Sequence, residues 1–151
     1  MPTVTSAPTA PSASFRFLPC LGFDVVFARS SGSGGGVIAE EDRLWPRIIR
    51  HDVRAVLSRW RRPDLTENAE LLVCELVTNA LEHGRGDVGV RLYFATNSVR
   101  IEVRDGSHHT PTPRTADPWD EDGRGLLIVQ SLATAWGVSR DGTMTWCSLT
   151  F

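Results

Sequence analysis

The sequence predicts an α/β domain, and three observations carry that prediction. Residues 70–84 repeat apolar side chains at helical spacing. Residues 88–103 alternate apolar and polar side chains in two runs joined by a turn, and residues 136–151 hold a second hairpin pattern around Asp141-Gly142. A chain of 151 residues allows one domain with one real core and a short tail.

Charge and composition exclude several chemistries. The formal net charge of -2 gives no global reason to expect direct binding to nucleic acid or to an anionic membrane. All basic residues are Arg; there is no Lys. That rules out a Walker-type phosphate loop, a Schiff-base lysine and the strand lysine of eukaryotic-type protein kinases. Phosphate chemistry in this chain must use backbone amides, Arg and a metal. Cys20, Cys74 and Cys147 are widely spaced and odd in number. They suggest neither a disulfide framework nor a zinc site, and a reducing cytoplasm is the expected home. No signal peptide and no bilayer-spanning window is present, so no membrane association is expected.

Taken in order, residues 1–14 have the composition of a disordered tail, too poor in large apolar residues to offset ordering entropy. Residues 15–27 hold two short apolar runs around Pro19 and Gly22, read as an edge strand and its continuation. The run Ser-Ser-Gly-Ser-Gly-Gly-Gly at 30–36 reads as a flexible loop; no Lys-Ser or Lys-Thr follows to make it a phosphate cradle. Residues 38–60 read as a helix with Leu44, Ile48, Val53, Val56, Leu57 and Trp60 along one stripe, ended by Arg61-Arg62-Pro63-Asp64. Its Arg50, Arg54, Arg59, Arg61 and Arg62 read as a solvated face or part of a docking surface for an acidic protein, ahead of a face toward nucleic acid.

Thr66 is placed to cap the next helix. There Leu72, Val73, Leu76, Val77, Ala80 and Leu81 form a broad apolar face, yet Glu75 and Asn79 sit among them on neighbouring turns. A carboxylate and an amide at the edge of a core each cost a few kcal/mol unless something meets them. Two readings stand at this point: hydrogen bonds to neighbouring loops, or a site facing a hydrated metal and a phosphate.

Gly84-Arg85-Gly86 breaks the helix; the Arg85-Gly86-Asp87 spelling of an adhesion motif carries no weight in a cytosolic chain. Val88, Val90, Leu92 and Phe94 alternate, and so do Val99, Ile101 and Val103 after a turn at Thr96-Asn97-Ser98. This hairpin delivers Arg104-Asp105-Gly106-Ser107 to one end of the sheet. The following stretch, to Asp122, is rich in Pro and charge and reads as a lid, with His108 and His109 as lid residues rather than metal ligands. Gly123-Arg124-Gly125 then leads into an apolar helix over 126–133, and a helix starting directly from glycines bares N–H groups that suit an anion.

Glu75-Leu76-Val77-Thr78-Asn79-Ala80 with His83-Gly84 resembles the N box of the GHKL ATPases, the Bergerat-fold group. Arg104-Asp105-Gly106-Ser107 resembles the first glycine box, Gly123-Arg124-Gly125-Leu126 the second, and Gly142-Thr143 the site of the final strand's threonine. Their order and spacing, from about Thr66 onward, carry the resemblance. The His83-Gly84 ending, the short length and the lack of a phospho-acceptor helix resemble the anti-sigma factor serine/threonine kinase type.

That resemblance implies a two-layer α/β sandwich, with a mixed, mostly antiparallel sheet and helices on one face. It implies a single ATP-binding domain over 15–151 with an ATP lid at about 107–122, and ATP and Mg2+ as cofactors. Asn79 would hold Mg2+, and Asp105 with Gly106 would take the adenine amino group, helped by Thr143. His83 would join the nucleotide-binding set, while Gly123, Arg124, Gly125 and Leu126 would lie against the phosphates. Glu75 would accept the proton from a Ser or Thr hydroxyl of an antagonist protein. The implied partners are a sigma factor and/or an anti-anti-sigma (STAS-like) protein, and the implied assembly is a homodimer. Two rivals remain: a non-catalytic ATP-binding anti-sigma regulator, and a histidine-kinase-type catalytic domain acting in trans. Ser107 stands where the first glycine box usually has glycine, and the 30–36 loop is longer than the family's usual link.

Overall fold

The computed structural model describes residues 13–18, 22–106 and 121–151. The expected tail at 1–12, most of the expected lid, and Cys20, Ser107, His108 and His109 lie outside the described residues. Among the described residues, six strands form one sheet: β1 (Ala13–Leu18), β2 (Gly22–Phe27), β3 (Val88–Ala95), β4 (Ser98–Asp105), β5 (Ala135–Val138) and β6 (Met144–Thr150). Their spatial order is β1-β2-β3-β4-β6-β5, and every neighbouring pair is antiparallel. The first strand begins at Ala13, two residues inside the expected tail. The turn between β3 and β4 is Thr96-Asn97, with Ser98 already in the strand.

Strand alternation builds the sandwich. Phe23 lies opposite Leu92, Leu92 opposite Ile101, and Ile101 opposite Cys147, so one buried row crosses four strands. Among the described residues, three α-helices cover that face: α1 (Trp45–Arg59), α2 (Thr66–His83) and α3 (Glu121–Leu132). The opposite face is polar. There Arg91 Nη2 donates to Asp24 at 3.0 Å, and Glu102 Oε1 accepts from Tyr93 and Arg100 at 2.9 Å each. Arg100 also stacks 4.1 Å above the Trp146 ring. Among the described residues, an apolar face with helices and a polar face without them make the two-layer α/β sandwich.

The first helix differs from its sequence reading. A short 3₁₀ helix, Glu40–Leu44, precedes α1, and Pro46 occupies the second position of α1. Proline lacks an N–H and fits only a helix's first turn, so the helix begins at Trp45 rather than running through from residue 38. The buried stripe is accordingly Trp45, Ile49, Val53, Val56 and Leu57, while Leu44 and Trp60 stay 53% and 44% exposed. Trp45 stacks on Phe27 with ring centroids 3.9 Å apart, docking the start of α1 on β2. Arg54 makes a two-pronged ion pair with Glu70 of α2, at 2.6 and 3.0 Å.

Thr66 is the first residue of α2, not its cap. A 3₁₀ turn, Pro63–Leu65, runs straight into the helix, and Leu65 in the cap position has helical angles (φ -90, ψ -12). Side-chain capping needs an extended cap residue, and none is present there.

The 30–36 loop, read as flexible, is tied down by a buried carboxylate. Asp42, only 3% exposed, accepts from Ser30 N at 2.9 Å and Ser33 Oγ at 2.6 Å. Ser33 Oγ in turn accepts from Ala39 N at 2.8 Å. Gly36 N donates to Glu82 O at 2.9 Å, which latches the loop to the last turn of α2.

Candidate functional site

The polar edge of α2 meets the N-terminal part of α3. Glu75 and Asn79, four residues apart, are half-buried and project toward Gly125. A methyl group built on Gly125 would lie 2.7 Å from Glu75 Oε2 and 3.7 Å from both amide atoms of Asn79. The two helices approach this closely because residue 125 has no side chain. Buried Leu126 and Val129 anchor α3 in the core beside it.

The glycines sit differently from the sequence reading. The described helix runs Glu121–Leu132, so Gly123, Arg124 and Gly125 lie inside it rather than ahead of it. The last two residues of the expected lid, at 121 and 122, are likewise helical.

At the other end of this edge, Asp105 closes β4. Its N–H donates to Thr143 O at 2.9 Å, and Gly106 N donates to Arg85 O at 2.9 Å. Thr143 precedes β6 instead of lying on it, and its hydroxyl donates to Asp141 Oδ1 at 2.8 Å. Ser139 Oγ donates to the same oxygen at 2.6 Å. These bonds hold the exposed Asp141 carboxyl down at about 2. Asp141 thereby fixes the turn that brings the Thr143 carbonyl to Asp105.

Gly84 joins the two ends. A methyl group there would meet Ala80 O at 2.5 Å and Asp105 Cβ at 2.7 Å, and would also clash with Arg29 Nη2. Arg29 Nη2 donates to Ala80 O at 2.5 Å, so a guanidinium from the loop after β2 reaches the helix turn that carries Asn79. Burial lowers the pKa of Arg29, and the charges of Asp105 and Asp42 act against that shift.

The carboxyl of Glu75 titrates above its ordinary value, first because burial disfavours the charge and then because Glu82 lies near. Glu82 also lines a groove of about 480 Å3 with Thr78, Val37 and Arg43, on the flank of α2 facing the 36–38 segment. No cluster of three His, Cys, Asp or Glu among the described residues could hold a metal unaided. Mg2+ does not require one, since it keeps several waters and binds through one or two side-chain oxygens together with substrate phosphates. The amide oxygen of Asn79, with the Glu75 carboxylate near it, is a hard donor set that fits that ion.

Of the residues expected from sequence, the structure brings Glu75, Asn79 and Gly125 together at one end, and Asp105, Gly106 and Thr143 at the other. His83 is exposed on the last turn of α2, its Nε2 3.4 Å from Glu82 Oε2. Sequence reasoning missed Arg29, Asp42 and Glu82. Glu82 carried a signal, since it lies three residues beyond Asn79 on the same helix edge. Arg29 and Asp42 carried none, because their partners are distant in sequence.

A family model described as the histidine kinase-like ATPase domain matches residues 39–151. No curated protein matches the chain significantly. Among the described residues, no helix is long and apolar enough to cross a membrane.

Proposed function

Because the chain belongs to the family of histidine kinase-like ATPase domains, we propose that it binds Mg-ATP and transfers the γ-phosphoryl group to a Ser or Thr of a partner protein. The observation that carries this reading is Glu75: a half-buried carboxylate with a raised pKa, beside Asn79 and facing the start of α3. A site that only held ATP would have no use for a base there. A pKa moved up toward neutrality makes a carboxylate a better proton acceptor at working pH.

In this reading Asp105 accepts a hydrogen bond from the adenine amino group, and the amides at 123 and 124 receive the phosphates. Glu75 takes the hydroxyl proton as the acceptor oxygen bonds to phosphorus and ADP leaves. Mg2+ bound by Asn79 supplies neutralisation of phosphate charge. The partners that fit are a sigma factor and a STAS-like antagonist carrying the acceptor hydroxyl, with the kinase acting as a homodimer.

The test is Glu75→Gln, assayed for Mg-ATP binding by calorimetry and for phosphoryl transfer to a candidate antagonist. Binding should stay within about threefold while transfer falls roughly 10²–10⁴-fold. Wild-type protein that binds ATP yet transfers nothing to any antagonist would favour the regulator reading instead.

A further inference from the structure

We infer that Arg29, contributed by a segment outside the matched 39–151 region, positions Asp105 and thereby sets the preference for a 6-amino over a 6-oxo purine. The inference rests on the reading of Asp105 as the base-recognising carboxylate.

Three observations converge on Arg29. First, its Nη2 is anchored on Ala80 O, the residue after Asn79, and crowds the same side of Gly84 as Asp105 Cβ does. The guanidinium is thus held beside the carboxylate by the backbone of α2. Second, Arg29 Nε is buried without a hydrogen-bond partner among the described residues. Buried polar groups are ordinarily satisfied, so an arginine kept there with an orphaned donor is placed for its charge and fork rather than for packing. Third, the loop that carries Arg29 is fixed at both ends. Asp42 clamps Ser30, the next residue, and Gly36 is latched to Glu82 O.

The three charges Asp42, Arg29 and Asp105 alternate in sign, with Arg29 feeling both carboxylates. A fixed cation beside Asp105 holds the carboxylate in place, and an ionised carboxylate only accepts hydrogen bonds. An acceptor-only group welcomes the amino group of adenine. It repels the carbonyl oxygen that hypoxanthine or guanine presents at the same position. Without Arg29 the carboxylate can turn away, so the acceptor that welcomes the amino group and repels a 6-oxo group is no longer held in place.

The experiment titrates full-length wild type, Arg29→Met, Arg29→Lys and Asp105→Asn with Mg-ATP and Mg-ITP by calorimetry. Wild type should favour ATP. Arg29→Met should weaken ATP about tenfold, within what a hydrogen bond involving a charged group is worth. It should leave ITP within about twofold, so the ATP/ITP ratio collapses, and Arg29→Lys should recover part of it. Equal losses for both nucleotides, or none, would assign Arg29 a purely structural part and overturn the inference. If Arg29→Met fails to fold, Arg29→Lys and Asp42→Asn decide by the same ratio, each expected to lower it and each overturning the inference by leaving it unchanged. Asp105→Asn separates the two layers of the argument. A ratio unchanged in Asp105→Asn defeats the reading of Asp105 itself, and with it the inference. A ratio lost in Asp105→Asn but kept in the Arg29 variants defeats only the inference.

Discussion

The two flanks of α2 are built from opposite materials. Toward α1 and the sheet the helix buries Ala69, Leu72, Val73, Leu76, Val77, Ala80 and Leu81, all at 2% exposure or less. Toward α3 it presents half-buried Glu75 and Asn79 to a glycine, at an approach that a side chain on residue 125 would crowd. Close packing on one flank lets the other stay polar and half-open. Apolar burial there, at roughly 25 cal/mol per Å2, can offset a desolvated carboxylate. The close-packed face and the candidate site adjoin each other on one helix.

Substitutions can break or sharpen that division. The largest effect is expected on the apolar flank: Ile49→Ala, at a fully buried α1 position, should destabilise by about 2–5 kcal/mol in urea unfolding. It should leave nucleotide affinity of the folded fraction unchanged. A loss of affinity in that fraction would show that the flanks are coupled.

Gly125→Ala should do the reverse. Helix propensity favours alanine over glycine by about 1 kcal/mol, and the clash falls on the movable end of Glu75, so the melting temperature should hold or rise. Displacing that carboxylate should lower phosphoryl transfer by about 10²-fold. Unchanged transfer would mean that the close approach of α3 to Glu75 is not part of the chemistry.

The smallest effect is pH-dependent and belongs to Glu75. Its pKa is higher in the fold than the ordinary 4.5, so the stability it contributes is fully present below that value. That contribution is lost as pH rises through the folded pKa. At pH 7 the charged form therefore weighs against folding, and Glu75→Gln should melt slightly higher than wild type. The gap should close below about pH 4.5. A Glu75→Gln protein that is less stable at pH 7 would assign the carboxylate a structural bond instead.

Much of this arrangement was legible in the residues. The alternation in 88–103 and the helical spacing in 70–84 depend on local periodicity, and periodicity survives into the fold because each element must bury one face. Glu75 and Asn79 could be picked out because they interrupt an apolar helical face, Gly125 because it stands in a glycine-rich run before an apolar helix, and Asp105 through the resemblance of its box. Errors gathered at element ends. Pro46 moved the start of α1, the 3₁₀ turn before Thr66 removed its capping role, and α3 began before its glycines instead of after them.

By itself, then, the sequence determined the α/β class and the order of helices and hairpins, since these follow from side-chain type and spacing along the chain, while the layering and the residues expected at a phosphate site came from the resemblance of its boxes. Only the tertiary structure decided which of them meet. It set Gly125 against Glu75, brought Thr143 O to Asp105, and carried Arg29 to Ala80, 51 residues away. Contacts of that range depend on how the helices seat on the sheet and on how a buried Asp42 folds a glycine-rich loop, and no local pattern encodes either.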